Sequence, residues 1–162
     1  MTPDPALPLK VFAAFFSIMN SIATIPIFLS LTDGYSDASK RRVASTTLVA
    51  VTIGCVVSAV AGSAILGIFG LTVNDFRLAG GLLVLLIALS MLHGSPSLQH
   101  QPSERELSRS ADADDIAIYP LAIPLLVGPG TIATLIVFGH TATTDGNVIG
   151  LIVGLTAFLV LL

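Results

Sequence analysis

The stretch PLAIPLLVGPGTIATLIVFG, Pro120 to Gly139, is almost wholly apolar, yet it carries Pro120, Pro124 and Pro129, with Gly128 and Gly130 flanking the last. An apolar run of about 20 residues reads as a membrane helix. The Gly-Pro-Gly says that this helix is interrupted. Proline lacks an N–H and clashes with the carbonyl four residues back, and glycine lowers the cost of non-helical dihedrals. Backbone groups freed in this way cannot face hydrocarbon; they must face protein, water or a solute.

Composition points the same way. Of 162 residues, 54% are hydrophobic and 10% charged, with a mean hydropathy of +0.93. A soluble domain carries about 25% charged residues. The net charge of −3 offers no basis for nucleic-acid binding. The lone cysteine, Cys55, excludes an internal disulfide framework and reads as a small buried core residue. The expectation is an all-α polytopic membrane protein.

Five apolar segments lie near residues 11–31, 44–69, 76–92, 116–139 and 148–162, forming a single transmembrane domain over 1–162. The first is too long for a signal-peptide core and reads as a helix. Residues 93–115, rich in Ser, Gln and acids, read as a flexible loop, and residues 32–43 as a connection. The fifth segment stops at Leu162 with no polar flank, so the chain is expected to continue beyond it. Lys40, Arg41, Arg42, Arg105 and Arg109 fall on one side of the membrane, against Lys10 and Arg77 on the other. That asymmetry places the 93–115 loop in the cytoplasm and the N-terminus outside.

The first and fourth segments can be laid on each other. Asn20-Ser21-Ile22-Ala23 then falls on Gly128-Pro129-Gly130-Thr131, each roughly midway through an apolar span. Broken helices running in opposite directions are what a 3+3 inverted repeat produces. A half-helix N-terminus offers partial positive charge to a carboxylate, and a half-helix C-terminus offers carbonyls to an ammonium or a cation. Candidate solute-binding residues are therefore Asn20, Ser21, Thr24 and Pro26 from the first break, and Gly128, Pro129, Gly130 and Thr131 from the second. Ser17, Ser21 and Thr24 read equally well as interhelical hydrogen-bonding groups, and Gly128–Gly130 as a structural kink.

Gly80 and Gly81, and the ladder Gly146, Gly150 and Gly154, are candidate close-packing positions, within the chain or in a homo-oligomer. Asp75 and Arg77 read as a solvated interface pair. No intramembrane acid, metal-ligand cluster, nucleophile elbow or phosphate loop is visible, so neither an enzyme, nor a metal site, nor a cofactor is expected.

Three stretches carry a resemblance: PIFLSLT at Pro26 to Thr32, RLAGGLLVLLIALSML at Arg77 to Leu92, and PLAIPLLVGPGTIATLI at Pro120 to Ile136. The sequence resembles the MarC-like integral membrane proteins (the UPF0056 group, also described as a small neutral amino acid transporter family). The resemblance implies six transmembrane helices in a prokaryotic cytoplasmic membrane. It also implies a small neutral solute such as glycine or alanine, with the coupling ion unassigned. Where the family carries Asn-Pro-x-Gly in helix one, this chain keeps only Asn20, which predicts a shallower break held by Asn20 and Pro26. The competing reading is a non-transporting membrane scaffold or the partner of a larger complex.

Overall fold

Seven helices are built from local signals in the computed structural model, which describes residues 4–93 and 113–162. The loop expected at 93–115 thus lies almost wholly outside the described residues. Helix α1, Leu7–Met19, has Pro8 in its first turn and buries Leu7, Val11, Phe15 and Met19, a strict four-residue stripe. Helix α2, Ser21–Leu31, follows after one residue. Helix α3 spans Asp37–Ile68, because the Ser36 hydroxyl accepts the Ser39 N–H at 3.2 Å and Asp37 sits in the first turn. The connection expected at 32–43 is therefore mostly helix. At 32 residues α3 is about 48 Å long, well beyond the ~30 Å of hydrocarbon, so its Lys40–Arg42 turns can stand in the interface.

Helix α4, Val73–Leu92, starts at a reciprocal cap. The Thr72 hydroxyl accepts the Asp75 N–H at 3.2 Å, and the Asp75 carboxylate accepts the Thr72 N–H at 3.0 Å. Asp75 is thus a helix cap, not an ion-pair partner of Arg77. After the short turn α5, Ala113–Ile116, comes a proline segment, Ala117–Leu126, then α6, Pro129–Thr144, and α7, Val148–Leu161. Asn147 caps α7 by accepting the Gly150 N–H at 3.2 Å.

The packing centres on α6, which contacts α3 and α4 along its length, while α7 packs on α1 and the proline segment on α3. Phe15 and Phe158 meet at 6.1 Å between ring centroids, inside a core that also buries Val11, Met19, Cys55, Leu126 and Leu135. Glycines set three of the approaches. A Cβ on Gly139 would strike the Ala59 carbonyl, one on Gly154 would lie 2.5 Å from the Pro8 carbonyl oxygen, and one on Gly80 2.7 Å from the Ala133 Cβ. Gly81 faces open space. Gly150 faces its own cap, Asn147, and Gly146 lies before the helix at φ +67°, so the expected Gly146–Gly150–Gly154 ladder is not one packing face.

Two ties between distant residues sort the helix ends. Asn147 Nδ2 donates to the Asp4 carbonyl at 2.7 Å, joining the N-terminus to the α6–α7 turn. The Lys10 ammonium, 2.7 Å away, and the Ala6 N–H hold the exposed Asp4 carboxyl below the usual carboxylate range. Arg42 donates twice to Asp114, at 3.0 and 2.5 Å, joining the start of α3 to α5 on the other face. Helices α3 and α4 are each long and apolar enough to cross a membrane; the pairs α1–α2 and 114–126 with α6 cross only as bent spans, at 42° and 66°. This is an all-α polytopic membrane protein, and its two bent spans run in opposite directions.

Candidate functional site: two helix breaks between two cavities

Asn20 is the hinge of the first span. Its φ of 44° and ψ of 52° are left-handed, a conformation asparagine tolerates better than other residues with a Cβ. Its carbonyl turns to accept the Ala23 N–H at 3.0 Å and the Thr24 N–H and hydroxyl at 3.3 Å. No side chain caps α2, so the positive end of its dipole is open at mid-span. The Ser21 hydroxyl oxygen is buried without a partner among the described residues. Pro26 makes no second break. Helix α2 continues through it on an exposed face, so the interruption expected over Asn20–Pro26 is a single residue wide. Ser17 is exposed, away from this hinge.

The second break is wider than the expected Gly-Pro-Gly. Residues 117–126 do not form a regular helix. Tyr119 (φ −133°, ψ 122°) and Ile123 (φ −129°, ψ 123°) are extended, and the peptide bonds that follow them, to Pro120 and Pro124, are cis. The helix expected over 116–139 therefore exists only from Pro129. Each extended residue precedes a proline, whose ring disfavours the helical region for its predecessor. Gly128 leaves room for the chain to double back, since a Cβ there would lie 2.9 Å from the Pro124 carbonyl oxygen. The buried Thr131 hydroxyl (residue 2% exposed) donates to the Leu126 carbonyl at 2.9 Å, and the Val127 N–H to Ala122 at 2.8 Å. These bonds satisfy carbonyls within the irregular segment. Helix α6, like α2, has no side-chain cap, and Pro129 occupies its first turn.

The breaks meet. A Cβ on Gly130 would contact Val84 Cγ2 at 3.3 Å and Ile18 Cγ2 at 3.6 Å, so the start of α6 lies against the end of α1, with α4 beside both. Met19, Leu126 and Val127 share one buried cluster. A cavity of about 360 Å³ opens beside the halves nearer Lys40–Arg42, bordered by Ser21, Thr24, Phe28, Thr47, Leu121 and Leu126. A second, about 260 Å³, opens on the opposite half, bordered by Ile18, Arg77, Gly80, Val84, Ala133 and Thr134.

Of the candidate residues, Ser21 and Thr24 border the first cavity, Asn20 and Gly128 form the breaks, and Pro129, Gly130 and Thr131 make the first turn of α6. Pro26 stands apart. Sequence reasoning missed Ile18, Val84, Arg77 and Thr134. Arg77 carried a signal, a cation one turn into an apolar helix, but it reads as the interface partner of Asp75 until Asp75 is seen to cap α4 and α6 is placed beside it. It also missed Thr47, whose buried hydroxyl donates to the Ala117 carbonyl at 3.1 Å and pins the proline segment to α3.

Comparison with known proteins gives this architecture a family. The chain is similar to the UPF0056 membrane protein YhcE of Escherichia coli, 34% identical over 149 residues, 92% of this chain and 69% of that protein. It is 35% identical to the UPF0056 membrane protein MJ1677 of Methanocaldococcus jannaschii over 136 residues, 84% of this chain and 65% of the relative. It is 30% identical to YvbG of Bacillus subtilis over 151 residues, 93% and 72% of the two chains. No solved structure matches the chain. The sequence profile of the MarC family integral membrane proteins matches residues 7–162, and the chain belongs to that family.

Proposed function

We propose that this protein carries a small neutral amino acid, such as glycine or alanine, across the cytoplasmic membrane of a prokaryote. The observation that carries the reading is the meeting of two uncapped helix N-termini, α2 and α6, between a cavity on each half of the bundle. Positive helix ends in a low dielectric attract a carboxylate, and the negative C-terminal end of α1 suits an ammonium. No step of this reading needs a catalytic group. The oppositely directed bent spans support an inverted repeat, whose two halves would rock about the breaks. The test is initial-rate uptake of labelled glycine and alanine by the full-length protein in proteoliposomes under imposed proton and sodium gradients. Uptake above protein-free vesicles is expected; none under any gradient would leave the breaks as packing kinks in a scaffold.

The orientation follows from charge. Lys40, Arg41 and Arg42 stand on the face of the Arg42–Asp114 tie, and Lys10 and Arg77 on the opposite one. We infer that the Lys40 face is cytoplasmic and the N-terminus outside. In a Cys55→Ala background, Thr144→Cys is expected to react with an impermeant thiol reagent in intact cells, and Asp33→Cys only after permeabilisation. The reverse pattern would invert the topology.

A further inference from the structure

We propose that Arg77 and Thr134 form a carboxylate-recognition site in the outer cavity, so that a free carboxylate is what a solute must carry to enter. The inference rests on the transport reading above and deepens it.

Arg77, Gly80, Gly81 and Val84 share one face of α4 at spacings of three and four, and this face borders the cavity together with Thr134 and Ala133 of α6. The glycine pair divides two tasks. Gly80 lets α4 lie against Ala133, while Gly81, with nothing within 4 Å of a Cβ, leaves its part of the cavity border open. Arg77 is the one charged residue bordering either cavity among the described residues. Its neighbour Asp75 is occupied by the Thr72 N–H at 3.0 Å and the Thr72 hydroxyl at 2.6 Å, and Arg77 has no ion pair among the described residues. By contrast, Lys10 is matched by Asp4 and Arg42 by Asp114.

Thr134 supplies the second group. Thr131, Thr143 and Thr144 on the same helix each spend their hydroxyl on a backbone carbonyl. The Thr134 hydroxyl, half-buried at the cavity, has no such partner among the described residues. A planar guanidinium donates two parallel hydrogen bonds to a carboxylate, and a free hydroxyl adds a third donor; an amide in the same place has no negative charge to offer. The floor beneath them is Ile18 and Val84, the two side chains that touch Gly130. A carboxylate seated on Arg77 is thus one apolar layer from the open N-terminus of α6, which can take it over.

The experiment uses Val137→Cys, a half-buried residue on the cavity wall, as reporter in a full-length Cys55→Ala background, and measures how fast a small thiol reagent modifies it. Glycine is expected to slow modification, and glycinamide at equal concentration to leave it unchanged. Arg77→Gln is expected to raise the glycine concentration needed for protection about tenfold or more, the loss of a charge-assisted bond pair. Arg77→Lys should keep part of the protection, and Thr134→Val should weaken it less than Arg77→Gln while preserving the shape of the wall. Equal protection by glycine and glycinamide, or full protection retained in Arg77→Gln, overturns the site. Acid-selective protection without uptake would sink the transport reading and leave this site standing. Glycine uptake with unchanged acid preference in Arg77→Gln would do the opposite.

Discussion

Gly139→Leu is expected to abolish the α3–α6 pairing and, with it, a monodisperse folded protein. Gly139 lies against backbone. A Cβ there would strike the Ala59 carbonyl oxygen, with the carbonyl carbon at 3.1 Å and the Ala59 Cα at 3.2 Å. Backbone atoms of a long helix cannot step aside as a side chain does, so the two helices must separate. Inside lipid that loss is severe, because helix association there depends on close packing and not on expulsion of water. Alanine already overpacks the contact, at a cost of about 1–3 kcal/mol, and leucine adds atoms with nowhere to go. Gly62→Ala is the matched control. Its Cβ would strike the Ile136 side chain at Cγ1, with Cδ1 at 2.9 Å, and not backbone, so a smaller loss is expected although β-branched Ile136 has little rotamer freedom in a helix. Thermal aggregation in detergent, followed by size-exclusion chromatography, separates the cases. A Gly139→Leu protein that melts like wild type would mean that α3 and α6 do not approach each other in this way.

Where the sequence was readable, a local rule governed. The interruption at Gly128-Pro129-Gly130 and the weak point at Asn20 are each written within a few residues, and the membrane class follows from composition alone. Three features depended on more. The start of α3 was hidden because Lys40, Arg41 and Arg42 look like a loop until the Ser36 cap is weighed and the helix is allowed to outrun the bilayer. The proline segment was read as helix because apolar content outweighed Tyr119-Pro120 and Ile123-Pro124, although two X-Pro pairs four residues apart disfavour helical dihedrals at both preceding positions. At Asn20 the sequence pointed to a weak point but not to its width. Pro26 was credited with half of the break, whereas a helix can pass a proline when the freed carbonyl finds another partner, and a left-handed residue redirects the chain by itself. Arg77 and Thr134 share a cavity only because Gly80 brings α4 onto α6, a contact between residues more than fifty positions apart that no local pattern encodes.

At Gly130, leucine is expected to cut glycine uptake at least about tenfold, equivalent to ~1.4 kcal/mol on the barrier, while the protein stays folded. The difference from Gly139 is in what surrounds the residue. The nearest atoms to a Cβ on Gly130 are the side-chain methyls Val84 Cγ2 at 3.3 Å and Ile18 Cγ2 at 3.6 Å. A methyl group fits with small adjustments, so Gly130→Ala should retain both fold and most activity. The further atoms of leucine must occupy the space between the end of α1 and the start of α6, where the two breaks meet and a solute would pass. Helix α6 itself tolerates the change, since Gly130 sits in ordinary helical backbone with no positive φ. Two neighbours calibrate the result. Gly128→Ala places a Cβ 2.9 Å from the Pro124 carbonyl oxygen and should lower stability as well as uptake. Asn20→Gly keeps the left-handed hinge, removes the strain of a Cβ there and should leave the break intact, whereas Asn20→Leu puts a large apolar side chain into a conformation it disfavours. Initial rates of labelled glycine uptake, at matched protein per vesicle and with size-exclusion profiles recorded beside them, order the set. If Gly130→Leu transports at the wild-type rate, the junction of the breaks is not on the path, and the solute would have to cross elsewhere in the bundle.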